Sequence, residues 1–299
     1  MKAIRESITP IIVTTTILVV GFLLLHVGVV DYGVTYFLFF PFSLGYTIAT
    51  LERKKQALIS FFYGSIFFIG FLLVLSLEGL FCVICAMPFV FLSAMLGFYL
   101  HNWLEDDEEE DTRPLYVSII PLFVLILINP LERFIMQEPA LEVIENSIVL
   151  DFPSDLVFDK VKSMDNLDAE KPLGISLGLP APYKCVLQAD SIGSKRICYF
   201  KNGTITAQIT KYDKGKILEM DVIEYNLTGK EWFKFVDASY SFNKEDEKTK
   251  ITRTSSYKSV LRPRFYWRAI EHWGIEQEHK FVLKSLQKNL KESYRDEPK

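Results

Sequence analysis

The sequence predicts two joined architectures. One is a membrane α-helical bundle of about five spans. The other is an α+β domain in which a curled antiparallel sheet wraps a long C-terminal helix. Three observations carry this. Long uninterrupted apolar stretches fill the chain up to about residue 137 and do not recur after it. Charge is unevenly shared: residues 1–140 hold 7 Lys+Arg and 13 Asp+Glu, and the rest of the chain holds 26 and 24. From about Leu141 the apolar period becomes two, as half-buried strands require. The mean hydropathy of +0.19 averages over these two populations.

A helix needs about 20 apolar residues to cross hydrocarbon. The region 1–137 offers five stretches, at about 8–30, 32–51, 57–77, 79–100 and 115–136. The fifth is interrupted near its end by Asn129, Pro130, Glu132 and Arg133. The first is too long for a cleaved leader and no small-x-small site follows it. Lys2, Arg5, Arg53, Lys54 and Lys55 flank the first three stretches, and the turns near Asp31 and Glu78 carry no positive charge. Positive charge stays inside, so the N-terminus is expected in the cytoplasm. Five spans then put the C-terminal domain outside it, and four put it inside. The first partner is therefore the lipid bilayer. The net charge of −4 and the lack of a basic excess exclude nucleic acid. The run Glu105–Asp111 reads as a solvated link without the alternating ligand spacing of a calcium loop.

The second region, 141–293, is followed by a charged tail, 294–299. A first strand is expected at Glu145–Asp151. A helix follows with Ser154 as its N-cap, and a short second helix at Met164–Leu167. A Pro- and Gly-rich loop, Lys171–Pro182, leads to six strands at hairpin spacing. They are Tyr183–Ala189, Lys195–Phe200, Thr204–Tyr212, Lys216–Tyr225, Trp232–Asn243 and Thr249–Val260. Asn202-Gly203 is a tight-turn signal. A closing helix runs from Arg264, after Pro263, to about Ser293.

This order resembles the helix-grip fold of the START / polyketide cyclase / Bet v 1-like superfamily. The resemblance rests on Ile148-Val-Leu-Asp-Phe-Pro-Ser154, Leu177-Gly-Leu-Pro-Ala-Pro182, Gly193-Ser-Lys-Arg-Ile-Cys-Tyr-Phe200 with Asn202-Gly203, Thr249–Thr254 and Tyr266-Trp267. It covers about residues 142–292. It implies a cavity under the long helix that holds a lipid, a sterol-like molecule or a polyketide, in a carrier, a sensor or an enzyme.

Strand alternation and helix periodicity then name the expected ligand-lining residues. They are Ile205, Ala207, Ile209, Leu218, Met220 and Val222 on the sheet, and Tyr266, Ile270 and Trp273 on the helix. Gly274 marks a kink in that helix. Arg196, Arg253 and Tyr257 are the polar groups such a cavity could use. Lys258, Arg262, Arg264 and Arg268, interleaved with aromatics, suit an anionic bilayer surface. No cofactor is expected, because no Walker loop, dinucleotide fingerprint or nucleophile elbow occurs. His272, Glu276 and His279 share a helix face at metal-ligand spacing, but no second Glu-x-x-His exists, so they read as a solvated face and no metal is expected. Cys82-Val-Ile-Cys85 resembles the motif of membrane thiol oxidoreductases, without their second cysteine pair in the membrane loops. The alternatives are thus a thiol oxidoreductase using Cys82 and Cys85, or a protein-interaction module whose cavity is filled by its own side chains. Four cysteines are too few for a disulfide scaffold.

Overall fold

The computed structural model describes residues 2–51, 54–75, 77–104, 119–135, 138–245 and 248–295. The acidic run 105–111, Arg53 and the start of the fifth apolar stretch lie outside these residues. The chain divides into two compact units. One comprises Met1–Glu138 with Val260–Tyr266, the other Pro139–Ser259 with Trp267–Lys299.

The first unit is helical: α1 Lys2–His26, α2 Phe40–Leu51, α3 Lys54–Val74, α4 Leu80–Leu104 and α5 Ile120–Ile135. Among the described residues two segments, Ala57–Val74 and Leu80–Leu104, are long and apolar enough to cross a membrane. The expectation of about five such spans is corrected for the other three stretches. In α1, Lys2–His26, the described apolar part is Pro10–His26. The second stretch opens with a turn and a π-helical segment, Thr35–Phe39, which runs directly into the 12 residues of α2. Of the fifth, Ile120–Ile135 is helical among the described residues.

The polar residues that interrupt the fifth stretch have a structural job. Asn129 Oδ1 accepts the Asp31 N–H at 2.9 Å. Arg133 holds the Asp31 carboxylate through two bonds, at 2.8 and 2.9 Å. The Glu132 carboxylate accepts the N–H groups of Val34 and Thr35. Those donors open a helical segment and have no partner of their own within it. Elsewhere glycine permits close helix packing. A Cβ on Gly45 would meet Ala94 O at 2.0 Å, and one on Gly97 would meet Phe42 O at the same distance. The backbones of α2 and α4 therefore touch, as small residues allow in apolar helix pairs.

The second unit holds β1 Glu142–Leu150, α6 Ser154–Lys162, α7 Leu173–Ser176, β2 Pro182–Leu187, β3 Lys195–Phe200, β4 Gly203–Asp213, β5 Ile217–Asn226, β6 Phe233–Glu245, β7 Lys248–Ser259 and α8 Arg264–Arg295. All seven strands form one antiparallel sheet in the order β1-β7-β6-β5-β4-β3-β2. With α8 across one face, this is the helix-grip arrangement. Three local expectations change. Pro153, not Ser154, is the N-cap of α6, with no side-chain cap. Met164 makes an isolated bridge to Cys185 instead of starting a helix. The short helix is α7, whose Gly174 lies so close to α8 that a Cβ would meet Gln277 Cγ at 3.0 Å.

The core between sheet and α8 is apolar at one end. Leu150, Ile209, Leu218, Phe242 and Ile251 of the sheet pack with Phe281, Val282, Leu286 and Leu290 of α8 and with Phe158 of α6. Cys185 and Cys198 stand directly opposite on β2 and β3 and form a disulfide. It joins the edge strand to the sheet and closes a loop with a sequence separation of 13. A link of that size is worth about 3 kcal/mol against the unfolded chain. Reduction is therefore expected to lower the thermal midpoint of the wild-type chain and to leave a Cys185→Ser/Cys198→Ser variant unmoved. Equal sensitivity of both would show that the bond does not hold the fold.

Candidate functional site

Register and burial define the inner face of the sheet. Tyr240 lies opposite Leu218 and Arg253, Ala238 opposite Met220 and Ser255, and Phe235 opposite Tyr257. On β1, Asn146 pairs with Arg253 and Ile144 with Ser255. Four alternate residues of β7 thus face α8, at positions 253, 255, 257 and 259, and all are polar or aromatic-polar.

They meet polar residues of α8 one by one. Arg253 and Glu278 form an ion pair at 2.9 Å, with side chains only 11% and 9% exposed. The Ser255 hydroxyl and His279 Nε2 are 2.9 Å apart. Tyr257 and Ser259 donate to the two oxygens of Glu271, at 3.2 and 2.6 Å. The result is a buried polar seam between β7 and α8. On the far side of Tyr240 lies Arg196, 5% exposed. Its Nε and Nη2 donate to the carbonyls of Lys162 and Val161, at 3.1 and 3.0 Å. These are the last carbonyls of α6, where a cation is favoured. The Arg196 and Arg253 guanidiniums lie 5.8 and 5.7 Å from the Tyr240 ring centre.

His279 is fully buried. Burial, and then the Arg253 charge, push its pKa down to about 2. Its Nδ1 faces Asn146 Oδ1 at 2.9 Å. An amide oxygen only accepts, so Nδ1 carries the proton and Nε2 accepts from Ser255. Serine, histidine and asparagine thus stand in the order of a nucleophile, a base and its orienter. The arrangement is nevertheless a poor base. A general base works best with a pKa near the working pH, this imidazole cannot readily become a cation, and Ser255 is itself buried mid-strand. Its role is to lock helix against sheet.

The helix face that this seam uses corrects the sequence reading. Trp267, Glu271, Gly274, Ile275, Glu278, Val282, Ser285, Leu286 and Leu290 are buried, on one helix that continues through Gly274. His279, read as solvated, is at the centre. Tyr266, Ile270 and Trp273 are on other faces. Tyr266 donates to Cys85 O and stacks on Phe89 at 4.8 Å; Ile270 is half-buried; Trp273 is 36% exposed. Beyond Gly274 the apolar period of Ile275, Val282, Leu286 and Leu290 does mark the buried face, and the polar Glu271, Glu278 and His279 hide the rest of it.

On the sheet, Ala207, Ile209, Leu218, Met220 and Tyr257 are buried, and Ile205 and Val222 are half-buried. The first four belong to the packed core around Phe281 and Val282, and Tyr257 packs with Ile144 and Ile275. Of the basic residues, Lys258 is exposed, Arg268 pairs with Glu142 at 3.0 Å, Arg262 donates its N–H to Tyr32 O, and Arg264 reaches Leu261 O. Cys82 and Cys85 are free thiols, whereas Cys185 and Cys198 are bonded to each other. Among the described residues no group of three or more His, Cys, Asp and Glu could hold a metal ion.

No family model matches the chain. No curated protein matches it either. Solved structures of similar fold include a protein of Nitrosomonas europaea, at 12% identity over 51% of this chain and 96% of that one, TM-score 0.37. Others are a norcoclaurine synthase of Thalictrum flavum, at 13% over 53% and 99%, TM-score 0.36, and the Zhui aromatase/cyclase of Streptomyces sp. R1128, at 14% over 52% and 98%, TM-score 0.37. Likeness at this level carries no activity across.

Two outcomes are expected of the seam. Unfolded, His279 takes up a proton near pH 6.5; folded, only near 2. Its contribution to stability is complete above about pH 6.5 and is lost below it, by up to about 1.4 kcal/mol per pH unit. Thermal midpoints measured from pH 7 to 5 should fall more steeply for the wild type than for His279→Gln. Arg253→Met strands Glu278 and should cost roughly 3–5 kcal/mol, while Arg253→Met/Glu278→Met should recover most of it. Denaturant unfolding decides, and no recovery in the double variant would mean that the pair is not the source of the loss.

Proposed function

We propose that this chain is a membrane-anchored, START-like protein whose C-terminal unit binds a hydrophobic ligand, lipid or polyketide-like, at the bilayer surface as a carrier or sensor. One observation carries the reading. The inner face of the sheet is sealed by α8 at its apolar end but opens between β5 and β6. Their pairing runs from Ile217–Ser241 to Asp221–Asp237 and no further among the described residues, although both strands continue. Beyond that point Val222, Tyr225, Phe233 and Phe235 are half-buried apolar or aromatic groups. A partly covered apolar surface beside an interior is the usual setting of a small-molecule site.

Anchoring is supported by Ala57–Val74 and Leu80–Leu104, each able to span hydrocarbon. Phe265, 79% exposed beside Arg262 and Arg264, adds an aromatic and basic group suited to an anionic surface. The Cys185–Cys198 bond favours an oxidising compartment for the C-terminal unit. Cys82 and Cys85, the pair of the thiol oxidoreductase alternative, are free thiols on α4.

Native mass spectrometry of the full chain, with lipid extraction, tests the reading. The expected result is an apolar molecule at near one per chain. Val222→Trp should lower that occupancy several-fold with little change in unfolding midpoint. A clean chain that gains nothing from added lipid would instead favour a filled core and a protein-binding role.

A further inference from the structure

Arg196 is a buried cation, and among the described residues no carboxylate bonds to it. Its Nε and Nη2 are taken by the carbonyls of Lys162 and Val161. Arg253, on the other side of the Tyr240 ring, holds the Glu278 carboxylate at 2.9 Å. The remaining nitrogen, Nη1, donates to Cys198 Sγ at 3.4 Å. A sulfur bonded in this way is only a weak acceptor. A thiolate in the same place is a full counter-charge, and a neighbouring cation favours thiolate over thiol. Arg196 therefore stabilises the reduced form of the Cys185–Cys198 bond more than the bond itself.

The two sulfurs are not equivalent. Cys185, on the edge strand β2, is 2% exposed, whereas Cys198, on β3, is half-buried. A thiol from outside meets Cys198 first. Nor does β2 depend on the bond for its place. Cys185 exchanges two backbone hydrogen bonds with Met164, both at 2.8 Å, on one side and pairs with β3 on the other. The Leu167 N–H donates to Tyr183 O, and the Leu187 N–H to Ser163 Oγ at 2.8 Å. The bond can open while β2 stays held between its neighbours.

We propose that Cys185–Cys198 is an exchangeable redox pair that takes a dithiol as its reductant. Cys198 is the sulfur attacked, and Arg196 holds the thiolate that it becomes. One thiolate of the dithiol attacks Cys198 Sγ, forms a mixed disulfide and expels Cys185 as a thiolate. The second thiolate of the dithiol attacks the reductant's own sulfur in that mixed disulfide. This closes the reductant's disulfide, and Cys198 leaves as a thiolate beside the Arg196 guanidinium. Two electrons pass from the dithiol to the chain. The dithiol gives up two protons, and Cys185 takes one of them. The proposal is independent of the hydrophobic-ligand reading.

The full chain, held in amphipol without denaturant, is treated with 2-mercaptoethanol, a monothiol that stops at the mixed disulfide. Rapid quenching with N-ethylmaleimide and peptide mass spectrometry then locate the adduct. It is expected on Cys198, with Cys185 as the alkylated thiol. An adduct on Cys185, or exchange only in urea, overturns the proposal. Cys185→Ser leaves Cys198 free for a second reading. Its alkylation by iodoacetamide should rise less than about two-fold from pH 7 to 9 in the native chain. In urea it should rise more than about ten-fold, as for an ordinary thiol. Cys185→Ser/Arg196→Met should regain the steep rise without urea. A steep native profile in Cys185→Ser, or a flat one that survives Arg196→Met, overturns the role of Arg196. If the double variant does not fold, the native and urea profiles of Cys185→Ser decide alone.

Discussion

The ion pair between Arg253 and Glu278 is the constraint on which the C-terminal unit depends. A 32-residue helix laid on a curled sheet could slide along or rotate about its axis at little cost if only apolar groups met. Dispersion and burial are non-directional. Hydrogen-bonded charges are not, and a misplaced buried charge costs far more than a misplaced methyl. Arg253 with Glu278, Ser255 with His279, and Tyr257 and Ser259 with Glu271 therefore fix which turn of α8 faces which residue of β7. Asn146 extends the same lock to β1 through His279.

That lock lets the two ends of the sheet differ. At one end Leu218, Phe242, Ile251, Phe281 and Leu286 fill the space between the layers, and the core needs no ligand to be complete. At the other end β5 and β6 separate after Asp221 and Asp237, two like charges directly opposite each other. Such a pairing weakens a ladder. The polar seam lies between the filled end and the parted end, so a helix fixed at its middle does not have to close the parted end. Stability is concentrated away from the proposed opening.

Much of the architecture was legible in the sequence because it follows from local rules. Period-two alternation located all seven strands, and Asn202-Gly203 located a hairpin between β3 and β4. The start of α8 after Pro263 was equally plain. The apolar half was read too simply. Asn129, Glu132 and Arg133 looked like interruptions of a span, yet they bind residues 31–35, where the helical path that leads into α2 begins. Composition does not say which backbone groups, almost 100 residues away, a side chain will satisfy.

The site was the least legible part. The sequence by itself determined that a long amphipathic helix would cover a sheet, that Ala207, Ile209, Leu218 and Met220 would point inward, and that Arg196, Arg253 and Tyr257 were the polar groups available. Only the tertiary structure decided that Glu271, Glu278 and His279, rather than Tyr266, Ile270 and Trp273, face that sheet. The physical reason is that burial of charge is a pairing property. A glutamate on a helix is a surface residue until an arginine on a strand, 25 residues earlier, stands at hydrogen-bonding distance. Hydrophobic period is written in one segment, whereas the partner that permits a buried charge is written in another.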